Sequence, residues 1–247
     1  MDVTGFGLKK EDVSFYRFPG PCFLVVHLKG TLMWDAGIVP DSAWKYTGAP
    51  VTHKVILPDR QREITLLKPL RMQLSEISYS PAEITYLALS HYHYDHTRNA
   101  YQFANSTWLV SQNEYDAMFT LPPPKVTLPS YYSSLKKSKI QIITKDEYDV
   151  FSDGTVIIKS APGHTPGHQV LFLKLKKTGN IVLSGDLYHY PEEKTLDKVP
   201  NFEFNTEQTR ATRKMIDTFL KNRNATLWIQ HDLTKYETLK KSPVWYE

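Results

Sequence analysis

The chain predicts an α/β fold arranged as a sandwich of two β-sheets covered by helices. Three observations predict it. Short apolar runs of strand length recur in both halves of the sequence, helical segments with one apolar face close each half, and no internal repeat of short period organises the chain differently. The 247 residues read as one domain over 1–247, with about 38–70 and 120–135 as loops on the substrate side.

Residues 1–20 read as irregular, broken by Gly5, Gly7, Pro19 and Gly20. Cys22–His27 and Thr31–Trp34 flank Lys29-Gly30 as a β-hairpin that runs into Asp35-Ala36-Gly37. From Ile38 to Leu70 no hydrophobic period is sustained, and Trp44, Tyr46, Pro50, His53 and Pro58 fit a cover more than regular structure. His53 reads as a surface histidine. Leu67, Leu70, Leu74 and Ile77 recur every three or four residues, as on one helix face, before the strand run Ile84–Leu89. Ala100–Phe103 and Gln112–Phe119 are short helices around the strand Thr107–Ser111, and Pro122–Tyr132 is a second long loop. Ile140–Thr144, Thr155–Lys159, Gln169–Leu175, Ile181–Leu183 and Leu227–Ile229 are further strands. Asn205 or Thr206 caps a helix from Glu207 to about Leu220, whose Ala211, Met215, Ile216, Phe219 and Leu220 share one face.

Hydrophobic residues make up 41% of the chain and aromatic residues 13%, enough for a packed core. A net charge of +4 is spread without long basic runs, so no nucleic-acid partner is inferred from it. The single cysteine, Cys22, excludes an intrachain disulfide and a cysteine-rich zinc site, and reads as a buried small apolar side chain. No window is apolar for the roughly 18 residues a membrane span needs, so no membrane partner is expected. Met1–Glu11 carries no signal-peptide core, which makes the cytoplasm the expected compartment, with a periplasmic or secreted location open if Met1 is not the natural start.

The chemistry concentrates in Ser90–Asn99, where His91, His93, Asp95 and His96 follow directly on a strand run. An extended His-x-His sends both imidazoles to the same side of the backbone, and the turn after it aims Asp95 and His96 elsewhere. Two ligand sets from one turn point to two metal ions. Three further residues of ligand type stand at strand ends: His164 in a glycine-flanked loop, Asp186 after Leu183-Ser184-Gly185, and His231 after Leu227–Gln230. Singly they read as a turn histidine, a strand-end cap and a solvent histidine. Together they give five imidazoles and two carboxylates, a donor set for zinc, iron, cobalt or manganese more than calcium or magnesium. Asp35 is either a turn cap or an acceptor that holds a ligand histidine in one tautomer.

The order of His91-Tyr92-His93-Tyr94-Asp95-His96, Gly163-His164-Thr165-Pro166-Gly167-His168, Ser184-Gly185-Asp186 and the late His231 resembles the metallo-β-lactamase superfamily. That resemblance implies a four-layer αββα sandwich with a dinuclear metal site at the sheet edge. It implies His91, His93 and His164 on one ion, Asp95, His96 and His231 on the other, and Asp186 bridging, with His168 and Asp35 as supports. The chain differs from the β-lactamases themselves in having Asp186, and within the superfamily is most similar to N-acyl homoserine lactone lactonases. Those usually carry a tyrosine three residues after the bridging aspartate. Here that position is His189, flanked by Tyr188 and Tyr190, so a phenol or an imidazole is expected at the substrate carbonyl.

The expected activity is hydrolysis of a small-molecule lactone or ester, N-acyl homoserine lactones foremost, by a hydroxide bridging two divalent ions, zinc foremost. Asp95 is the candidate general acid, and Tyr188, His189 and Tyr190 the candidate partners of the oxyanion. The alternatives are a thioesterase similar to glyoxalase II, a phosphodiesterase, or a dioxygenase similar to the persulfide dioxygenases with one iron. A monomer or a homodimer is expected.

Overall fold

The strands alternate their side chains between two kinds of apolar layer, and that alternation builds the molecule. The computed structural model describes residues 2–44, 47–57 and 61–247. In chain order its elements are β1 (Phe23–His27), β2 (Gly30–Trp34), β3 (Val51–Ile56), β4 (Gln61–Leu66), α1 (Leu70–Ser75), β5 (Tyr86–Ala88), α2 (Tyr94–Thr97), β6 (Thr107–Ser111) and α3 (Gln112–Met118). They continue with β7 (Lys139–Ile143), β8 (Glu147–Asp149), β9 (Val156–Ser160), β10 (Gln169–Leu175), β11 (Gly179–Leu183), α4 (Pro191–Thr195), α5 (Thr206–Arg223), β12 (Ala225–Trp228) and α6 (Leu233–Thr238). One sheet has the order β1-β2-β5-β6-β7 and the other β12-β11-β10-β9-β8.

Leu32, Trp34, Ala88 and Leu109 of the first sheet meet Ile158, Leu171, Leu173, Ile181, Leu183 and Trp228 of the second. Their strand neighbours Met33, Leu87, Trp108 and Val110 belong to another apolar layer, with Leu70, Leu74, Phe103, Met118 and Leu135. On the second sheet Val170, Phe172 and Val182 pack with Ile216 and Phe219 of α5. Side chains of period two can fill both faces of a sheet only if both are covered, and the result is four layers, αββα. The helix α5 starts where the Asn205 side chain accepts the Gln208 amide at 3.0 Å, and it ends at Asn224, whose φ of 46° breaks the helical path.

The stretch 38–70 departs from expectation. Instead of a structureless cover it contains the hairpin β3–β4, paired Val51↔Leu66 through Ile56↔Gln61. Its inward positions include His53 and Arg62 and its outward ones include the exposed Ile56, which hid the period-two pattern. His53 is not a surface histidine; it is half-buried and stacks on Trp44 with ring centroids 4.8 Å apart. Tyr46 and Pro58 lie outside the described residues. The helix expected over 67–77 is shorter, because Pro69 precedes its first turn and the buried Asp41 carboxylate accepts the Leu70 and Arg71 amides, both at 2.8 Å. The short elements β8, α4 and α6 were not foreseen; none is longer than six residues.

The sheets meet where the ligand loops leave them. Gln169, the first residue of β10, donates its backbone N–H to Ser90 O at 3.0 Å and its side-chain amide to Leu89 O at 2.9 Å. Beside that seam, Glu114 of α3 is buried and ties two loops together. Its Oε1 accepts the Tyr92 amide at 2.8 Å, and its Oε2 accepts the Thr165 hydroxyl at 2.7 Å and the Gly167 amide at 2.9 Å. Gly167 packs so closely that a Cβ there would collide with Ser111 Oγ and the Glu114 amide.

Burial raises the Glu114 carboxyl to about 7, while its three hydrogen bonds pull the other way. The folded value lies above the ordinary 4.5, so its stabilising contribution is complete below about pH 4.5 and is lost as pH rises through about 7. In Glu114→Gln one of the three donors faces an amide N–H₂, and the protein should lose roughly 1–3 kcal/mol. Denaturant unfolding in the presence of chelator should show the gap between wild type and Glu114→Gln narrowing as pH rises from about 4.5 to about 7; a constant gap would contradict this role.

Candidate metal centre

The turn after β5 divides its donors by backbone geometry. His91 and His93 lie in the segment before α2, with His93 in the extended conformation as its N-cap, whereas Asp95 and His96 lie inside the helix. Passing from extended to helical backbone rotates the successive side chains away from the first pair. Asp35, at φ 61°, binds this turn from the end of β2. Its Oδ1 accepts the Ser90 amide at 2.6 Å and its Oδ2 lies 2.8 Å from His96 Nδ1.

Two groups of donor atoms result. His91, His93, His164 and Asp186 form one, and Asp95, His96 and His231 the other; within each group all donor atoms lie within 4.8 Å of one another. In the first, His93 Nδ1 is 2.9 Å from His91 Nε2 and 3.0 Å from His164 Nε2. Asp186 Oδ2 faces this group, 3.6 Å from His91 Nε2 and 3.5 Å from His164 Nε2. Asp186 Oδ1 faces the second, 3.0 Å from His96 Nε2 and 3.1 Å from His231 Nε2. One carboxylate thus serves both groups. Asp95 Oδ2 completes the second group, 3.9 Å from His231 Nε2, and is the more open donor, with its side chain 19% exposed.

The far side of three of the imidazoles is equally specified. His96 Nδ1 faces Asp35, His164 Nδ1 lies 2.9 Å from Glu203 Oε1, and His231 Nδ1 lies 2.8 Å from the Pro19 carbonyl. Placing the ring proton on Nδ1 leaves the Nε2 lone pair aimed at the centre. His96 Nε2 and Asp186 Oδ1 are buried and have no hydrogen-bond partner, although they stand 3.0 Å apart. A nitrogen lone pair and a carboxylate oxygen turned toward each other in a dry site call for a cation between them, so the donors fit divalent metals.

The local electrostatics agree. Burial pushes the His91 and His93 imidazoles well below the ordinary histidine value, toward the neutral form that ligates. Burial also opposes a proton on His96, but Asp186 and Asp35 on its two sides outweigh it and raise that imidazole well above the ordinary value. Asp186 is held well below the usual carboxylate range because the surrounding histidines outweigh its burial.

His168 enters neither group. Its Nε2 accepts the Asp186 amide at 3.0 Å and its Nδ1 donates to the Ala161 carbonyl at 3.0 Å, so it orients the Asp186 backbone as a neutral ring, lowered to about 4 by burial. Among Tyr188, His189 and Tyr190, the histidine is the one that reaches the donors, with Nε2 3.2 Å from Asp186 Oδ2. Its ring lies parallel to that of His231, with centroids 5.8 Å apart, and edge-on to His164, Phe6 and Phe202. Of the phenol or imidazole expected to face the carbonyl, the imidazole is the one turned toward the donors, and the two phenols lie elsewhere. Tyr188 packs in the layer under α5 with the Arg213 guanidinium 4.1 Å from its ring centroid, and Tyr190 packs among Phe6, Phe15 and Phe18. Successive residues point to different sides, so a turn that aims residue 189 at Asp186 turns 188 and 190 into the core.

Glu114, Glu193 and Glu203 support this centre and were not foreseen. Nothing local marks them: Glu114 stands in Gln112-Asn113-Glu114-Tyr115-Asp116, a run that reads as solvent-facing, and Glu203 reaches His164 across 39 positions of sequence.

Comparison with known proteins agrees with this fold. The Metallo-beta-lactamase superfamily profile matches residues 15–231. The N-acyl homoserine lactonase AttM of Rhizobium radiobacter is 30% identical over 258 residues, covering 99% of this chain and 93% of that protein. A solved N-acyl homoserine lactone hydrolase, with the product N-hexanoyl-L-homoserine at its catalytic metal centre, has a TM-score of 0.74 at 23% identity, covering 92% of this chain and 86% of that one. AidC, a dizinc quorum-quenching lactonase solved with a product, has a TM-score of 0.57 at 18% identity, covering 87% and 72%. With the profile spanning most of its length and a relative 30% identical over nearly all of it, the chain belongs to the metallo-β-lactamase superfamily.

Proposed function

We propose that this protein is a metal-dependent hydrolase that opens the ring of N-acyl homoserine lactones, using two divalent cations, zinc foremost. The observation that carries the reading is the division of the Asp186 oxygens between two complete donor groups, which favours a dinuclear centre over a single iron. Likeness to N-acyl homoserine lactonases over almost the entire chain supports the substrate class.

In this reading His91, His93 and His164 hold one ion, Asp95, His96 and His231 the other, and Asp186 both. Bound there, the cations supply the acidity that makes a water nucleophilic near neutral pH and the positive field in which a carbonyl oxygen gains charge. The chain's own groups do the rest. His189 Nε2 lies beside Asp186 Oδ2 and offers a hydrogen bond to the lactone carbonyl oxygen as it becomes an oxyanion. Asp95, the more exposed carboxylate, takes one proton of the attacking water and returns it to the ring oxygen as the carbon–oxygen bond breaks, leaving a free hydroxyl and a carboxylic acid that releases its proton to solvent. Phe6, Phe18 and Phe202 surround His189 and limit water on that side. Tyr188 and Tyr190 act through packing.

The zinc-loaded protein, assayed with N-acyl homoserine lactones, an acyl thioester and an aryl phosphodiester, should show its highest kcat/KM on the lactones; a preference for either of the others overturns the substrate class. Asp186→Asn keeps the size of the side chain and removes the shared charge. It should bind fewer than two metals per chain by elemental analysis and lose at least about 100-fold in kcat/KM, and full activity with two metals bound would sink the bridging role.

A cation must displace the proton that Asp186 and Asp35 hold on His96, so metal affinity should rise as pH increases from about 6 to about 8. Asp35→Asn should weaken metal binding by about 10- to 100-fold in chelator competition and flatten that pH dependence. Unchanged affinity in the variant would remove Asp35 from the centre.

A further inference from the structure

His189 departs from the tyrosine expected at this position, and the side chains behind it show how an imidazole is held there. Glu193 of α4 is fully buried, yet its carboxylate is crowded with partners. Its Oε1 accepts the backbone amides of His189 at 3.0 Å and Tyr190 at 3.2 Å and lies 3.3 Å from His189 Nδ1, within ion-pair reach but off the axis of a straight hydrogen bond. Its Oε2 binds Arg213 Nη2 at 2.6 Å. Arg213 reaches up from α5, donates Nε to the Leu187 carbonyl at 2.9 Å and lays its guanidinium over Tyr188. The buried ion pair therefore encloses the turn 187–190 from both sides, and the one ring it touches that also faces the donor groups is His189.

Burying a carboxylate and a guanidinium costs several kcal/mol each before their attraction is counted, and a plain turn can be held by neutral groups. The charge is accounted for by what it does to the ring: it draws Nδ1 away from the centre and turns Nε2 toward Asp186 Oδ2, and with a carboxylate facing each nitrogen the ring carries a proton on both, so that Nε2 stays a donor.

We propose that Glu193, anchored by Arg213, is the positioning residue that fixes the His189 ring with Nε2 over the metal centre, so that a histidine presents the hydrogen-bond donor to the substrate carbonyl oxygen. The catalytic half of this rests on the lactonase reading above. The half that concerns the ring does not. A phenol has no second ring nitrogen, so in a His189→Tyr background Glu193 keeps its backbone and Arg213 partners but has no ring to position.

The test combines Glu193→Gln and Glu193→Asp, the latter keeping the charge on Arg213 but withdrawing it from the ring, each made in the native and in the His189→Tyr background and each loaded with zinc. Metal per chain, kcat and KM on an N-acyl homoserine lactone are read in both backgrounds, and the His189 ring N–H signal in nitrogen-resolved NMR in the native one. Both variants should keep two metals, lose or displace the His189 ring N–H signal, and lower kcat about 10-fold with KM changed less than about 2-fold; in the His189→Tyr background either should change kcat by less than about 2-fold. Equal losses of kcat in both backgrounds, losses that follow loss of metal, or an unmoved His189 signal overturn the proposal. If the native protein opens no lactone, the lactonase reading fails by itself, and the ring signal alone upholds or overturns the positioning role.

Discussion

Everything at the active end depends on one buried carboxylate, Asp186, shared between two sets of imidazoles. Its oxygens point in opposite senses, Oδ2 to the set of His91, His93 and His164, Oδ1 to that of His96 and His231. A carboxylate in so dry a place is tolerable only with positive charge on both sides. The surrounding histidines draw its pKa down despite burial, and the same arrangement suits two cations. Seven of the nine histidines of the chain, His91, His93, His96, His164, His168, His189 and His231, are gathered around this one group.

Holding the rings around the centre in one orientation requires a second layer of anions and carbonyls, and four separate parts of the chain contribute to it. Asp35 comes from the end of β2, Glu203 from the segment before α5, Pro19 from the N-terminal segment, and Glu193 from α4. Glu114 secures the backbone of the loops that carry His93 and His164 instead of touching a ring. The fold thus supplies preorganisation: the outward ring nitrogens of His96, His164 and His231 find partners supplied by three different parts of the chain.

The layered architecture was readable because period-two alternation in β2, β6, β10 and β11 is nearly undisturbed by polar residues. The hairpin β3–β4 escaped reading since two of its six inward positions, His53 and Arg62, are polar and one large apolar side chain, Ile56, faces outward. The ligand cluster was readable for another reason. Metal donors are few in kind, and a histidine pair with period two at a strand end has few other uses, whereas glutamates in short helices carry no mark of burial.

The amino-acid sequence by itself determined the layer pattern, the strand ends that carry donors, and the seven candidate donor residues that the structure gathers into two groups, because each of these follows from local periodicity and residue chemistry. The tertiary structure alone decided which oxygen of Asp186 faces which group, which carboxylate stands behind each imidazole, and that His189 and not Tyr188 or Tyr190 looks onto the centre. These are relations between residues far apart in the chain. Their geometry is set by how two sheets and α5 pack, and no local pattern encodes it.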